Sequence, residues 1–227
     1  AIEARCAADY TARLNEAELE SATRRLLDDG CTAIAVCFLH SYANGTNELR
    51  AKQLIRKMAP NVYVTASHEI LPVWREFERF STTVVSAYIG PVLSSYVVNL
   101  KSRLAAAGFR GRLLLMLANG LVQTVEECVD RAVYLLNSGP AAAPSAATYF
   151  GGESERRNLL SVDMGGTSFD VCVIKDGEIP MTTDSWVGEH RVAIKMVDVP
   201  TVGAGGGSIA WVDTLGLLHV GPQSAGA

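Results

Sequence analysis

Residues 159–174 constrain this chain more than any other stretch. Leu159, Leu160 and Val162 lead into Asp163, two glycines (Gly165, Gly166) and two hydroxyls (Thr167, Ser168), and the β-prone run Phe169–Ile174 leads out again. Two apolar runs around a short polar, glycine-bearing break predict a hairpin with a tight turn. Glycines let a backbone approach a ligand closely, and successive N–H groups in such a turn form a concavity suited to phosphate oxygens. Thr167 and Ser168 can donate to those oxygens, while Asp163 can hold a hydrated Mg²⁺ or orient a water. A bare D-x-G-G-T fits an ordinary hairpin turn equally well. Its sequence surroundings decide for phosphate.

Upstream, strand-like and helix-like segments alternate. Asn15 with Glu18 predicts a capping box, followed by Leu19, Ala22 and Leu26 at helical spacing up to Gly30. Residues 32–39 (TAIAVCFL) read as a buried parallel strand, 48–58 as a helix stopped before Pro60, and 62–65 as the next strand. Helices are expected over 73–89 and 92–107, with Pro91 at a start or a kink. A strand over 112–117, a turn at Asn119-Gly120 and a helical face of Val122, Val125, Val129, Ala132 and Val133 follow. A short strand over 134–137 and an alanine-rich helix over 140–150 complete this half. The alternation predicts an α/β architecture with a mainly parallel sheet. From residue 159 the texture turns to β, with further strands over 191–199, 209–212 and 217–220 and a glycine-rich loop over 201–208. A boundary near Gly151-Gly152 would divide the chain into 1–150 and 151–227.

Composition narrows the partners. The 227 residues carry a net charge of −4 without a basic cluster, which argues against a nucleic-acid or anionic-membrane partner. The longest apolar runs, such as residues 113–118, are far below the ~18 needed to cross a bilayer. No signal peptide is visible, and the five cysteines (Cys6, Cys31, Cys37, Cys128, Cys172) form no C-x-x-C, so reduced core thiols in a cytoplasmic protein are expected. Cys172, in the strand after the turn, reads as packing and not as a nucleophile. His40, His68, His190 and His219 stand on separate elements without zinc-site spacing. The first residue is Ala1, and the chain is expected to be part of a longer protein.

The small-residue helix beginning Ser138-Gly139-Pro140-Ala141, followed by the D-x-G-G-T hairpin, resembles the crossover between lobes in the actin, sugar-kinase and heat-shock-chaperone ATPase superfamily. The similarity is closer to one branch, the hydantoinase A / 5-oxoprolinase family. It is carried by the segments 67–72 (SHEILP), 76–85 (EFERFSTTVV), 137–141 (NSGPA), 163–170, 201–210 (TVGAGGGSIA) and 220–227 (VGPQSAGA). In two places the chain departs from the superfamily pattern. It has a single D-x-G-G-T where two such hairpins are usual, and Ala142-Ala143-Pro144 where the family more often shows glycines.

The resemblance implies an incomplete actin/sugar-kinase-like (ribonuclease H-like) two-lobed ATPase fold, a mixed sheet with flanking helices. Residues 1–150 would be part of the first lobe, with a connecting helix over 139–150. Residues 151–227 would begin the second lobe. It further implies ATP with Mg²⁺, and half a nucleotide site in this chain alone. Gly165, Gly166, Thr167 and Ser168 would hold phosphate and Asp163 would stand by the metal or the nucleophile. Gly205, Gly206 and Gly207 would close over nucleotide or substrate. The implied activity is opening of a cyclic amide after phosphorylation. Acetone- or acetophenone-carboxylase chemistry on a ketone or bicarbonate is the alternative, and a non-catalytic assembly subunit is a third reading. A second, larger subunit and a homo-oligomer are the implied partners. Glu76, Glu78 and Arg79 read first as solvated helix charge, with Glu78 and Arg79 the candidates for a structural ion pair between lobes.

Overall fold

The computed structural model describes residues 13–226, which divide into two compact units. The first holds the described residues up to Leu115 together with Gln123–Leu136 and Thr183–Ile194. The second holds Met116–Val122, Asn137–Thr182 and residues from Lys195 onward. These units do not coincide with a linear cut at 150/151. The alanine-rich helix belongs with the hairpin that follows it, and 183–194 returns to the first unit.

In the first unit Asn15 caps α1 (Glu16–Asp28) by accepting the Glu18 N–H at 3.3 Å, a contact of about 1 kcal/mol. Strand β1 (Ala33–Val36) pairs in parallel with β2 (Tyr63–Ala66) through the crossover helix α2 (Thr46–Met58). Ile34, Val36, Val64 and Ala66 face one way and bury with Leu19, Ala51 and Ile55 of α1 and α2. The short helix α3 (Ser67–Ile70) leads to α4 (Glu76–Ala106), which packs on both strands. Gly90 of α4 lies against the Tyr63 ring, where any Cβ would collide.

Helix α4 is long and apolar enough to cross a membrane by length and composition. Its buried face, however, carries Arg79, Thr82, Thr83 and Ser86. Thr82 and Thr83 return their hydroxyls to the carbonyls of Glu78 and Arg79, and Ser86 Oγ accepts the Val133 N–H at 3.4 Å. The first half of α4 is thus packed through polar contacts, while Tyr88, Val92, Tyr96 and Val98 further along are exposed. The two helices expected over 73–89 and 92–107 are a single helix, Glu76–Ala106, with Pro91 carried inside at the cost of an intrahelical hydrogen bond.

Arg79 is fully buried, contrary to its reading as solvated charge. Its guanidinium donates to Val73 O at 2.9 Å and Phe38 O at 2.7 Å and lies over the Phe80 and Tyr42 rings. Glu78 does not pair with it, and bonds Arg191 at 3.2 Å instead. Buried Glu48 accepts from Phe38 N and Ser67 Oγ at 2.7 Å each, and its other oxygen takes His68 N at 2.8 Å and meets His68 Nδ1 at 2.9 Å. One carboxylate thus ties β1, α2 and α3 together.

Two other expectations fail. The strand expected over 134–137 does not form: Ala132–Leu135 make a 3-10 turn, because Ser86 takes the Val133 amide and Tyr134 Oη donates to Ile70 O at 2.9 Å. The sheet is not mainly parallel. Among the described residues β1–β2 is the parallel pair, joined through the helix α2, and the pairs described below are antiparallel. Strands β3 (Leu114–Met116) and β4 (Val122–Thr124) precede α5 (Val125–Asp130).

In the second unit α6 (Ser138–Glu153) packs on β5 (Leu159–Met164) and β6 (Phe169–Ile174) around Ala141, Cys172, Ile174 and Val197. Gly151 permits the approach, since a side chain there would strike Leu159 and Arg156 O. β7 (Met181–Thr182) precedes the hairpin of β8 (Ser185–Val187) and β9 (His190–Val192), which lies in the first unit. β10 (Met196–Val197) pairs with β7, β11 (Thr201–Val202) with β6, and β12 (Ser208–Val212) with β13 (Leu218–Ser224). Cys6 lies outside the described residues; Cys31, Cys37, Cys128 and Cys172 are free thiols.

Replacing Glu48 by Ala leaves several buried donors unsatisfied and should destabilise the protein by about 3 kcal/mol, read by urea denaturation. Burial, aided by the nearby Glu48 carboxylate, pushes the Cys37 thiol up to about 12. The thiolate is the reactive form, so Cys37 should resist alkylation at pH 8 while folded and react once unfolded.

Candidate functional site

The site grows from the alternation of the β5–β6 hairpin. Antiparallel pairing sets Leu159 opposite Ile174, Ser161 opposite Cys172 and Asp163 opposite Asp170. Side chains two apart share a face, so one face runs from an apolar pair through a buried Ser–Cys pair to two carboxylates beside the turn. Cys172 is buried, and burial raises its thiol pKa, in keeping with a packing role.

Asp163 is exposed, and among the described residues its carboxylate has no hydrogen-bond or ion-pair partner. Asp170 Oδ1 accepts from Thr201 Oγ1 at 2.5 Å, across the β11–β6 pair. Like charges directly opposed on a sheet repel, so the Asp163–Asp170 pair favours a cation between or beside the two. Asp170 is not among the residues singled out from the sequence. Reflecting Asp163 through the centre of the turn would have found it, because the hairpin pairs positions symmetrically about that turn.

The turn itself is closed by Gly165 N–H donating to Ser168 O at 3.0 Å. Among the described residues, the amides of Gly166, Thr167 and Ser168 and the hydroxyls of Thr167 and Ser168 make no hydrogen bond. Gly165 borders open space, the nearest atom to an added Cβ being Ser168 O at 3.9 Å. These unbonded donors lie on a backbone bare of side chains at two successive positions, with Gly205 packed beside the Thr167 and Ser168 nitrogens. Such a set suits an anion with several oxygens.

The structure brings the second glycine-rich segment to the same place. Gly206 N–H donates to Gly165 O at 2.9 Å and Gly207 N–H to Gly166 O at 2.8 Å. Every residue singled out for the site (Asp163, Gly165, Gly166, Thr167, Ser168, Gly205, Gly206, Gly207) therefore lies at one end of the β5–β6 hairpin. Ser208 and Ser224, also unremarked in the sequence, complete the packing of that loop.

Other polar clusters are partly paired. A cavity of about 210 Å³ in the first unit, lined by Lys52, Glu69, Gln123, Glu127, Asp130 and Arg131, holds a Lys52–Glu69 ion pair at 2.5 Å. On the β12–β13 hairpin, His219 meets Asp213 at 2.7 Å and stacks on Trp211. That contact and the Leu217 amide hold the Asp213 carboxyl below its usual range.

Comparison with known proteins fits this layout. Residues 79–227 match the family model described as hydantoinase/oxoprolinase, and residues 2–59 match the hydantoinase/oxoprolinase N-terminal region. The chain is 38% identical to caprolactamase subunit alpha of Pseudomonas jessenii over 214 residues, covering 94% of this chain and 31% of that subunit. The crystal structure of the ATP-dependent caprolactamase from Pseudomonas jessenii superposes with a TM-score of 0.81 at 38% identity, over 96% of this chain and 31% of that one. A nucleotide-free acetone carboxylase structure, from work on ATP-dependent acetone carboxylation, gives a TM-score of 0.74 at 27% identity, over 93% and 30%. The chain spans about a third of the length of these relatives. By the family-model matches and by likeness along nearly its whole length, it belongs to the hydantoinase/oxoprolinase family.

Proposed function

We propose that this chain supplies the phosphate-gripping hairpin of an ATP-dependent hydrolase that opens a cyclic amide, within a two-lobed actin/sugar-kinase-like arrangement. The observation that carries the reading is the Gly165–Ser168 turn. It offers three unbonded amides and two hydroxyls beside a pair of facing carboxylates.

The residues fit both groups. Mg²⁺ is commonly held by one or two carboxylates together with substrate phosphates, and Asp163 with Asp170 would provide them. A ring amide is a sluggish electrophile. ATP would supply a phosphoryl group to the amide oxygen, making the ring carbon open to water; the ring C–N bond would then break with the nitrogen leaving as an amine and the phosphoryl group released as phosphate, and Mg²⁺ would neutralise the charge that develops. The chain's own work is positioning. The Gly166, Thr167 and Ser168 amides and the Thr167 and Ser168 hydroxyls fix the phosphate oxygens, and Asp163 orients the metal or a water. Phosphoryl transfer is promoted mainly by such placement and by fixed dipoles.

The ATP dependence of the Pseudomonas jessenii caprolactamase supports nucleotide use in this chain's family. The likeness to acetone carboxylase supports a second reading, in which ATP activates a ketone or bicarbonate. Designation of the caprolactamase relative as a subunit supports a multi-subunit assembly, with a second, larger subunit and a homo-oligomer part of the same proposal. Measuring ATP turnover by the complete enzyme with hydantoin, 5-oxoproline or caprolactam, and separately with ketone plus bicarbonate, separates the readings. Turnover stimulated by the ring amides alone is expected.

Two substitutions test the site. Asp163→Ala should lower ATP turnover by about 10³-fold while changing stability by no more than about 0.5 kcal/mol; parental turnover would remove Asp163 from the mechanism. Gly166→Val should abolish nucleotide binding in calorimetric titration with ATP·Mg²⁺, because a branched side chain stands where phosphate must approach the backbone.

A further inference from the structure

We propose that the loop at Gly205–Ser208 is the positioning element of the phosphate turn and not a nucleotide contact, an inference that rests on the phosphate reading of residues 165–168. Its donors are already used. Gly206 and Gly207 give their N–H groups to the carbonyls of Gly165 and Gly166, so neither amide is available to a phosphate oxygen.

Those two bonds set the direction of the turn's own donors. In a trans peptide the C=O and the following N–H point in opposite directions. Drawing Gly165 O toward Gly206 therefore turns the Gly166 N–H away from the loop. Drawing Gly166 O toward Gly207 turns the Thr167 N–H away from Gly207, with Gly205 packed beside that nitrogen.

The loop is held in turn from behind. Gly205 N–H donates to Ser208 Oγ and Ser208 N–H to Gly205 O, both at 2.9 Å. Gly207 O accepts from Ala225 N at 2.7 Å and from Ser224 Oγ at 3.1 Å. A main-chain relay thus runs from the end of β13 through Gly207 to Gly166.

Glycine is required here for space. A Cβ on Gly205 would lie 2.6 Å from Gly165 O and 2.7 Å from both Thr167 N and Ser168 N. A Cβ on Gly207 would lie 2.8 Å from Gly166 O and closer still to Gly226 O. All of these are backbone atoms, so a side chain can be admitted only by displacing the turn. Gly203, in the same loop, has nothing within 4 Å and is the natural control.

Residue-resolved hydrogen exchange on the complete enzyme, with and without ATP·Mg²⁺, tests the assignment together with kinetics of four variants. Without nucleotide, the Gly206 and Gly207 amides should exchange more than about tenfold slower than that of Thr167. On adding nucleotide, protection should appear at Gly166–Ser168. Gly205→Ala should lower kcat/KM for ATP by about 10²-fold, with Gly203→Ala at the parental value. Ser208→Ala should raise KM for ATP severalfold with kcat kept, and Ser208→Thr, which retains the oxygen, should restore it. If Gly205→Ala fails to fold, the Ser208 pair and the exchange pattern decide. Gly206 and Gly207 amides that become protected only with nucleotide, a parental Gly205→Ala, or equal losses in Gly205→Ala and Gly203→Ala overturn the positioning role alone. Absence of new protection at Gly166–Ser168 overturns the phosphate reading and the positioning role with it.

Discussion

The carbonyl oxygens of Gly165 and Gly166 are held by the amides of Gly206 and Gly207, and the placement of the 165–168 turn depends on that pairing. A four-residue turn between two strands is by itself mobile, since glycine loses more conformational freedom on ordering than any other residue. Two main-chain bonds from a second loop restrict it without adding a side chain. Gly165 itself borders open space.

The rest of the second unit holds this arrangement in place. α6 covers the apolar end of the β5–β6 face, and Gly151 lets it come down onto Leu159. The face then runs from Leu159/Ile174 to Asp163/Asp170 within a few residues. The hairpin is therefore anchored at one end by burial of apolar surface, which is non-directional, and presents fixed dipoles and charges at the other.

The first unit is ordered differently. Its interior mixes aliphatic packing of α1 and α2 on β1–β2 with a buried polar layer under α4, where Glu48, Arg79, Thr82, Thr83 and Ser86 are satisfied mainly by backbone groups. Buried hydrogen-bonded charges are costly to disturb, because removing one partner exposes the desolvation cost of the other; the Arg79 guanidinium bonds through its two terminal nitrogens, while its Nε is buried without a partner. The family-matching segments 67–72 and 76–85 fall in this layer. Their residues hold elements together, and among them Glu69 reaches the lining of the charged cavity.

Local pattern determined much of what was legible beforehand. Apolar runs marked β1, β2 and the β5–β6 hairpin, Asn15 marked the start of α1, and Asp163 with Gly165–Ser168 marked the turn, because periodicity, capping and turn chemistry act over a few neighbouring residues. What tertiary structure alone decided involves partners far apart in the chain. Residues 132–135 became a 3-10 turn through contacts to Ser86 and Ile70, and Arg79 became a buried clasp on Phe38 and Val73. The glycines at 205–207 met the turn at 165–168, which spacing along the chain gave no means of pairing. The physical reason is common to all three: a backbone donor or acceptor carries no residue-specific signature, so the group it bonds at long range is chosen by the folded arrangement and not by the sequence around it.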